Sequence, residues 1–148
     1  MLFSVALSWG YAFAQVPSSA PLVTAESYEW TPVRGLAVDL AISAGGIVFA
    51  VDRENHVWRW RGKERGWALL PRFFRRVAAD PQGKPWAIAP DGNVFRYNGL
   101  WWDQLGRTVA SDIAIGGKGE AFIATSKGRL LRWQESERRW EPVAVDDV

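Results

Sequence analysis

Short apolar runs separated by polar turns make up the chain from about residue 36 onward. The segment 76–102 shows this most clearly, because its turns contain the Asp-Gly and Asn-Gly pairs that allow the positive backbone angles of tight hairpins. None of its runs has a helical period. The segment therefore predicts a four-stranded antiparallel meander. Its predicted strands are 76–79, 85–89, 94–97 and one that begins at Trp102.

The same unit occurs three times. Each copy has a glycine that opens the second strand, and these glycines are 37 and then 36 residues apart. In each copy a third strand contains a central arginine, and a tryptophan opens the outer strand. A fixed period of this size with four strands per copy is typical of propeller blades. We therefore predict an all-β, incomplete β-propeller of three four-stranded antiparallel repeats of about 36–37 residues, with blades at about 36–70, 76–105 and 111–143.

The repeats resemble those of the tectonin or tachylectin-like β-propeller family. The resemblance is carried by the words Val-Asp-Leu-Ala-Ile at 38–42 and Ser-Asp-Ile-Ala-Ile-Gly at 111–116, and by the Gly-x-x-aromatic step. It covers roughly 28–143, and we assign 28–148 to the repeat domain. It implies a lectin-like recognition propeller. Family members generally close with five or six blades, so three blades are a departure from the pattern.

The N-terminal residues differ from the repeats. Residues 1–14 are uncharged and apolar and end in the small-x-small form of a signal-peptidase site, whereas 15–27 form a linker rich in Pro, Ser and Ala. The run lacks the Lys or Arg expected ahead of a signal segment, which indicates a truncated start, and it is too short to span a bilayer. We therefore expect an exported protein, secreted or periplasmic. Residues 28–33 predict one additional outer strand.

Composition and motifs argue against catalysis. The net charge of +2 is too small to indicate a nucleic-acid or membrane partner, and cysteine is absent. His56 is the only histidine and lies in a turn, so neither a metal site nor a nucleophile–base pair is supported. Asp39 and Asp112 occupy equivalent positions in different repeats, which is typical of network residues rather than an acid/base pair. We expect no enzyme activity, no metal and no cofactor.

The repeated arginines are the first candidate ligand-binding residues: Arg59, Arg96 and Arg132. In one interpretation each packs its stem on an aromatic ring between blades and pairs its head with a carboxylate or carbonyl. In the other, the three arginines line repeated ligand pockets. Repetition favours packing first.

The remaining candidates interrupt the repeat. Trp101 has no counterpart in the other copies and can stack on a sugar, with Asn98 and Asp103 supplying hydrogen bonds. The alternative is that Trp101 covers a gap between blades. The basic-aromatic cluster 72–76 is expected to be a solvated inter-blade loop or a contact for an acidic glycan.

These observations predict a non-catalytic module that recognises a glycan or cell-envelope ligand through its inter-blade loops. The alternative is a protein-interaction or assembly module, such as part of a larger propeller. Three blades cannot close a ring and leave an apolar face at each end. We therefore expect a homodimer that closes a six-bladed ring.

Overall fold

The structure, a computed structural model, describes residues 35–143. Within them all regular elements are β-strands. The predicted signal peptide (1–14), linker (15–27) and additional outer strand (28–33) lie outside the described residues. The strands are β1 (Asp39–Ile42), β2 (Val48–Val51), β3 (His56–Trp60), β4 (Trp67–Phe73), β5 (Arg76–Ala79), β6 (Pro85–Ile88), β7 (Val94–Tyr97), β8 (Trp102–Gln104), β9 (Asp112–Ile115), β10 (Ala121–Ala124), β11 (Leu130–Gln134) and β12 (Arg139–Pro142).

The strands form three four-stranded antiparallel sheets, each in chain order: β1–β4, β5–β8 and β9–β12. The innermost strand of the second sheet, β5, contacts both β1 and β9, so the first strands of successive sheets are neighbours. This is the arrangement of propeller blades, and we call the sheets blades one, two and three. The predicted all-β fold of an incomplete propeller is confirmed.

Glycine-centred turns join the first two strands of each blade. Gly46, Gly83 and Gly119 all have a positive φ, at 77°, 79° and 90°. In blades one and two a buried polar side chain completes the turn: Ser43 Oγ accepts the backbone N–H of the residue after the glycine, and Asp80 Oδ1 does the same. The repeated glycines are therefore explained by backbone geometry.

The core lies between the blades, in two clusters. The cluster between blades one and two contains Phe49, Val51 and Val57 on one side and Val77 and Phe95 on the other. The cluster between blades two and three repeats this arrangement with the equivalent positions, among them Trp86, Ile88, Val94, Ile123 and Leu131. Blade two therefore packs one face forward onto blade three and the opposite face backward onto blade one.

The in-register tryptophans at the start of the outer strands belong to this packing. Trp102 and Trp140 are buried, and each contacts an aromatic residue on the third strand of its blade, Tyr97 or Trp133, at a centroid distance of 5.1 Å. Trp140 Nε1 also donates to the carbonyl of Leu105 in the preceding blade at 2.7 Å. These two in-register tryptophans therefore belong to the core between the blades.

The backward face of blade one remains open within the described residues. Leu40, Trp58 and Leu69 lie in one cross-strand row, and Leu40 and Leu69 are 57% and 54% exposed. The equivalent row of blade two begins with Val77, which is buried against blade one. Residues 35–143 therefore expose at one end the kind of apolar face that is covered between blades.

The predicted loop at 72–76 is not a loop. Strand β4 continues to Phe73 and β5 begins at Arg76, so only two residues connect the blades. Phe74 is fully buried, and Arg72 places its guanidinium 4.3 Å from the ring centroid of Phe95. Arg75 donates to the carbonyl of Ala110 at 2.7 Å. Phe74 therefore anchors the blade connection in the core, while Arg72 and Phe73 stay exposed.

Candidate functional site

Two clefts lie where successive blades meet, beside the turns that join the first two strands of a blade. The blade one/two cleft has a volume of about 330 Å³. The blade two/three cleft has a volume of about 480 Å³. The first is lined chiefly by Phe49, Arg59, Lys84, Tyr97, Asn98 and Gly99. The second is lined chiefly by Trp86, Arg96, Glu120, Arg132, Trp133 and Glu135.

The two clefts are built from equivalent positions of the repeat. In each, the earlier blade supplies a cross-strand pair of an aromatic residue and an arginine: Phe49 with Arg59, and Trp86 with Arg96. These pairs lie on the forward face, since residues directly opposite each other in antiparallel strands share a face. Differences between the clefts therefore arise from the remaining lining residues.

The blade two/three cleft contains its own carboxylate. Arg96 lies over the Trp86 ring at 5.1 Å and makes two hydrogen bonds to the carboxylate of Glu135 in blade three, both at 3.0 Å. Trp133 Nε1 donates to the same carboxylate at 2.7 Å. The Arg96 hydrogen bonds, followed by the one from Trp133, outweigh desolvation and hold the pKa of Glu135 below its usual value. Arg96 thus has both features of the packing interpretation.

The blade one/two cleft has no corresponding carboxylate. The position equivalent to Glu135 is Gly99, which has no side chain. The charged residues that line this cleft are Arg59 and Lys84, both exposed cations. Among residues 35–143, no carboxylate lies within ion-pair distance of Arg59. The cleft is therefore a cationic site with an aromatic floor.

The residues opposite the repeated arginines on the outer strands also leave Arg59 without a carboxylate. Directly opposite Arg59, on β4, lies Ala68. The other two repeated arginines face an acidic residue at that position, Asp103 for Arg96 and Glu141 for Arg132. Arg59 is therefore the one repeated arginine without an acidic cross-strand neighbour. The sequence contains this signal, but it becomes visible only when the register is known.

Arg132 lines the blade two/three cleft and also a cavity of about 430 Å³ on the forward face of blade three. Phe122 and Glu141 share that cavity, so the aromatic–arginine pair occurs a third time. The structure thus brings Arg96 and Arg132 to the blade two/three cleft and places Arg59 in the blade one/two cleft, so the three predicted arginines do not share one site.

Residues 98–103 form a tight hairpin at the lip of the blade one/two cleft. Asn98 Oδ1 accepts the backbone N–H groups of Leu100 and Trp101, both at 2.9 Å, and its amide donates to Asp103 at 3.0 Å. Leu100 is 74% exposed and Trp101 72% exposed. The structure thus joins Trp101, Asn98 and Asp103, and Trp101 does not cover an inter-blade gap.

Recognition through the inter-blade connections stays a prediction, and these connections line neither cleft. Both clefts are lined by strand ends and by turns within a blade. A separate cavity of about 290 Å³ does include the connection residues Thr108 and Val109, but it contains none of the predicted site residues. The connection at 74–75 is short and has Phe74 buried, whereas the connection at 105–111 is longer and contributes to this separate cavity.

His56 belongs to a turn network. Its Nδ1 lies 3.0 Å from the carboxylate of Asp52, which also accepts backbone N–H groups of Glu54 and His56 and the indole N–H of Trp58. Burial raises the pKa of Asp52, but the hydrogen bonds from Trp58 and His56 lower it overall. The ligand atoms of Asp52, Glu54 and His56 lie within 4.8 Å of one another, and the bonds of the β2–β3 turn account for that proximity.

Asp39 and Asp112 flank Arg76, a contact that the sequence analysis did not foresee. Arg76 occupies the equivalent position in blade two and lies 4.0 Å from Asp39 and 3.8 Å from Asp112. Asp39 also accepts the backbone N–H of Val77 at 2.7 Å. The two aspartates therefore join neighbouring inner strands, as expected of network residues.

Comparison with known proteins gives similarities to solved structures only. No family model matches the sequence, and no curated protein matches it. Among solved structures the chain is similar to one described as "YCF48 bound to D1 peptide", a β-propeller, with a TM-score of 0.59 and 20% sequence identity. The match covers 73% of this chain and 40% of that one, so the chain spans less than half the length of its neighbour. In the described part of the chain, no helix is long and apolar enough to cross a membrane. The similarity shows that the chain has a propeller fold.

Proposed function

We propose that the blades form a non-catalytic protein-recognition module that binds a segment of a partner protein in the blade one/two cleft. The observation that carries this proposal is the composition of the cleft and its lip. Arg59 and Tyr97 line the cleft, and Leu100 and Trp101 are exposed in the hairpin that contributes Asn98 and Gly99 to its lining. Tryptophan, tyrosine and arginine dominate the binding energy of protein interfaces, and exposed apolar patches mark such interfaces.

The structural neighbour supports the same class of ligand. It is described as bound to a peptide, which makes a peptide ligand a reasonable expectation for a propeller of related architecture. The support is limited to the class of partner, because fold similarity at this identity does not transfer a binding site.

Carbohydrate recognition is the second candidate, and the hairpin geometry favours it. Trp101 exposes its ring beside the Asn98 amide and the Asp103 carboxylate, which are hydrogen-bonded to each other. An exposed ring next to polar groups suits the apolar face of a sugar. The exposed Leu100 has no role in this interpretation, whereas it suits a protein surface.

Parallel arrays of diverse peptides and glycans, probed with the folded chain, separate the two candidates. We expect peptide binding that weakens strongly in Trp101→Ala, because the indole is removed without disturbing the core. Arg129→Gln, an exposed change away from this cleft, is the matched control and should bind normally. Binding to glycans alone would overturn the protein-recognition proposal.

Export and ring closure also belong to the proposal. The N-terminal pattern supports export, which N-terminal sequencing of the mature protein tests. The open backward face of blade one supports association with further blades, and a second copy of the chain supplies a matching forward face on blade three.

A further inference from the structure

We propose that the blade one/two cleft binds a carboxylate of the partner protein, an aspartate or glutamate side chain, through the guanidinium of Arg59. This inference rests on the proposed function, since it specifies the chemistry of the bound segment. Its starting point is the equivalence of the two clefts. In one of them the chain itself supplies a carboxylate, and in the other that place is empty.

The blade two/three cleft shows how such a group is held. Glu135 presents two oxygens to Arg96, which makes one hydrogen bond to each from separate guanidinium nitrogens. Paired hydrogen bonds between guanidinium and carboxylate are strong and directional. The arginine is held in place because it lies over Trp86. Around Arg59 the aromatic positions are kept, with Phe49 in place of Trp86 and Tyr97 in place of Trp133.

The electrostatics of the blade one/two cleft favour an anionic occupant. Arg59 and Lys84 are its charged lining residues, and Asn98 adds a side-chain amide. With Ala68 opposite Arg59 and Gly99 in place of an acid, the chain leaves the guanidinium free for an external carboxylate. The neighbouring cleft differs, since the acidic Asp80, Glu120 and Glu135 balance its three cations.

The size of the cleft favours a side chain of a peptide. A volume of about 330 Å³ accommodates an acidic side chain and an apolar neighbour, with Phe49 and Tyr97 as apolar walls. A short motif of one acidic residue flanked by apolar residues fits these features.

The test uses the peptide acetyl-Gly-Leu-Glu-Leu-Gly-amide and its glutamine analogue, with affinities measured by titration of the ¹⁵N-labelled chain by NMR. We expect the glutamate peptide to bind, and Arg59→Gln to weaken it roughly tenfold or more, as for loss of a charge-assisted hydrogen bond. Arg59→Lys should recover only part of this loss, because a lysine retains the charge but not the paired donors. Arg132→Gln removes the same charge at the equivalent position of blade three and should bind like the parent.

Three results would overturn the carboxylate site. Equal binding of the glutamate and glutamine peptides would show that the carboxylate is not recognised, while peptide recognition itself would stand. An unchanged affinity of Arg59→Gln for the glutamate peptide would show that Arg59 does not bind the carboxylate. Absence of binding by either peptide would exclude this motif, and the peptide array would then decide separately whether the module recognises proteins. Arg59 is exposed, so its substitution should leave the core unchanged. Unperturbed resonances of the core residues verify that each variant is folded.

Discussion

At the scale of single residues, arginines in the same position of different repeats have different environments. Arg96 is fully engaged by Trp86 and Glu135, whereas Arg59 has an aromatic neighbour but no acid. The sequence alone predicts that the arginines are equivalent. Their functional difference comes from single residues on neighbouring strands and blades, such as Gly99 and Ala68.

Two adjacent tryptophans provide a sharp test of burial. Trp102 is buried and stacks on Phe74 and Tyr97, whereas Trp101 is 72% exposed. Trp102→Ala should lower the free energy of unfolding by about 3–5 kcal/mol, as for other large-to-small core substitutions. Trp101→Ala should change it by less than about 0.5 kcal/mol, as is usual for surface positions. Urea unfolding of both variants measures the difference, and similar losses would contradict the assigned burial.

The lowered pKa of Glu135 predicts a pH dependence. Because its pKa in the folded state lies below its value in the unfolded chain, the pair with Arg96 stabilises the fold at neutral pH. This stabilisation disappears as the pH falls from the ordinary glutamate range through the lowered folded value. NMR titration of the Glu135 side chain should show its pKa rising towards normal in Arg96→Gln. An unchanged pKa in that variant would mean that Arg96 is not the main cause.

At the scale of elements, the hairpin pattern predicted the strands well because local chemistry determines them. Positive-φ glycines such as Gly83 and Gly92 fix the turns, and strand β7 begins and ends where predicted. The segment 72–76 was predicted wrongly as a loop, since its arginines resemble a solvated connection while Phe74 is core. That burial depends on Phe95 and Trp102 in another strand pair, which no local pattern reveals.

Alanine substitutions at equivalent turn glycines of blades one and two distinguish the cost of backbone strain from that of a steric clash. A Cβ at Gly46 meets no atom within 4 Å, whereas a Cβ at Gly83 would clash with Ile47 Cδ1. Gly46→Ala should cost about 1–2 kcal/mol for the left-handed backbone alone. Gly83→Ala should cost more, because Ile47 from blade one must also move. Chemical denaturation gives both values, and Ile47→Ala should restore part of the loss in Gly83→Ala but none in Gly46→Ala.

At the scale of the whole molecule, stability resides in the interfaces between blades. Blade two is covered on both faces, while within the described residues blade one presents its backward face and blade three its forward face without a neighbouring blade. Repeat proteins of this kind gain stability with each interface added. The clefts have the same origin, because each is formed by two blades and neither blade contains it alone.

The open face predicts association between copies. Leu40 and Ile42 are 57% and 60% exposed on the backward face of blade one. The double variant Leu40→Lys with Ile42→Lys should lower the apparent mass at micromolar concentration in light scattering, because it places charges in the contact. Leu100→Lys, an exposed leucine away from that face, is the control and should associate like the parent. A parent chain that is monomeric and well folded would rule out the ring.

The central claim is that the blade one/two cleft, and not its equivalent, is the binding site. Intermolecular NOEs between the methyl groups of the bound glutamate peptide and protein aromatic rings test it most directly. We predict NOEs to the rings of Phe49 and Tyr97, with none to those of Trp86 and Trp133 in the blade two/three cleft, where Glu135 occupies Arg96. NOEs to Trp86 and Trp133, or to neither pair, would contradict the claim.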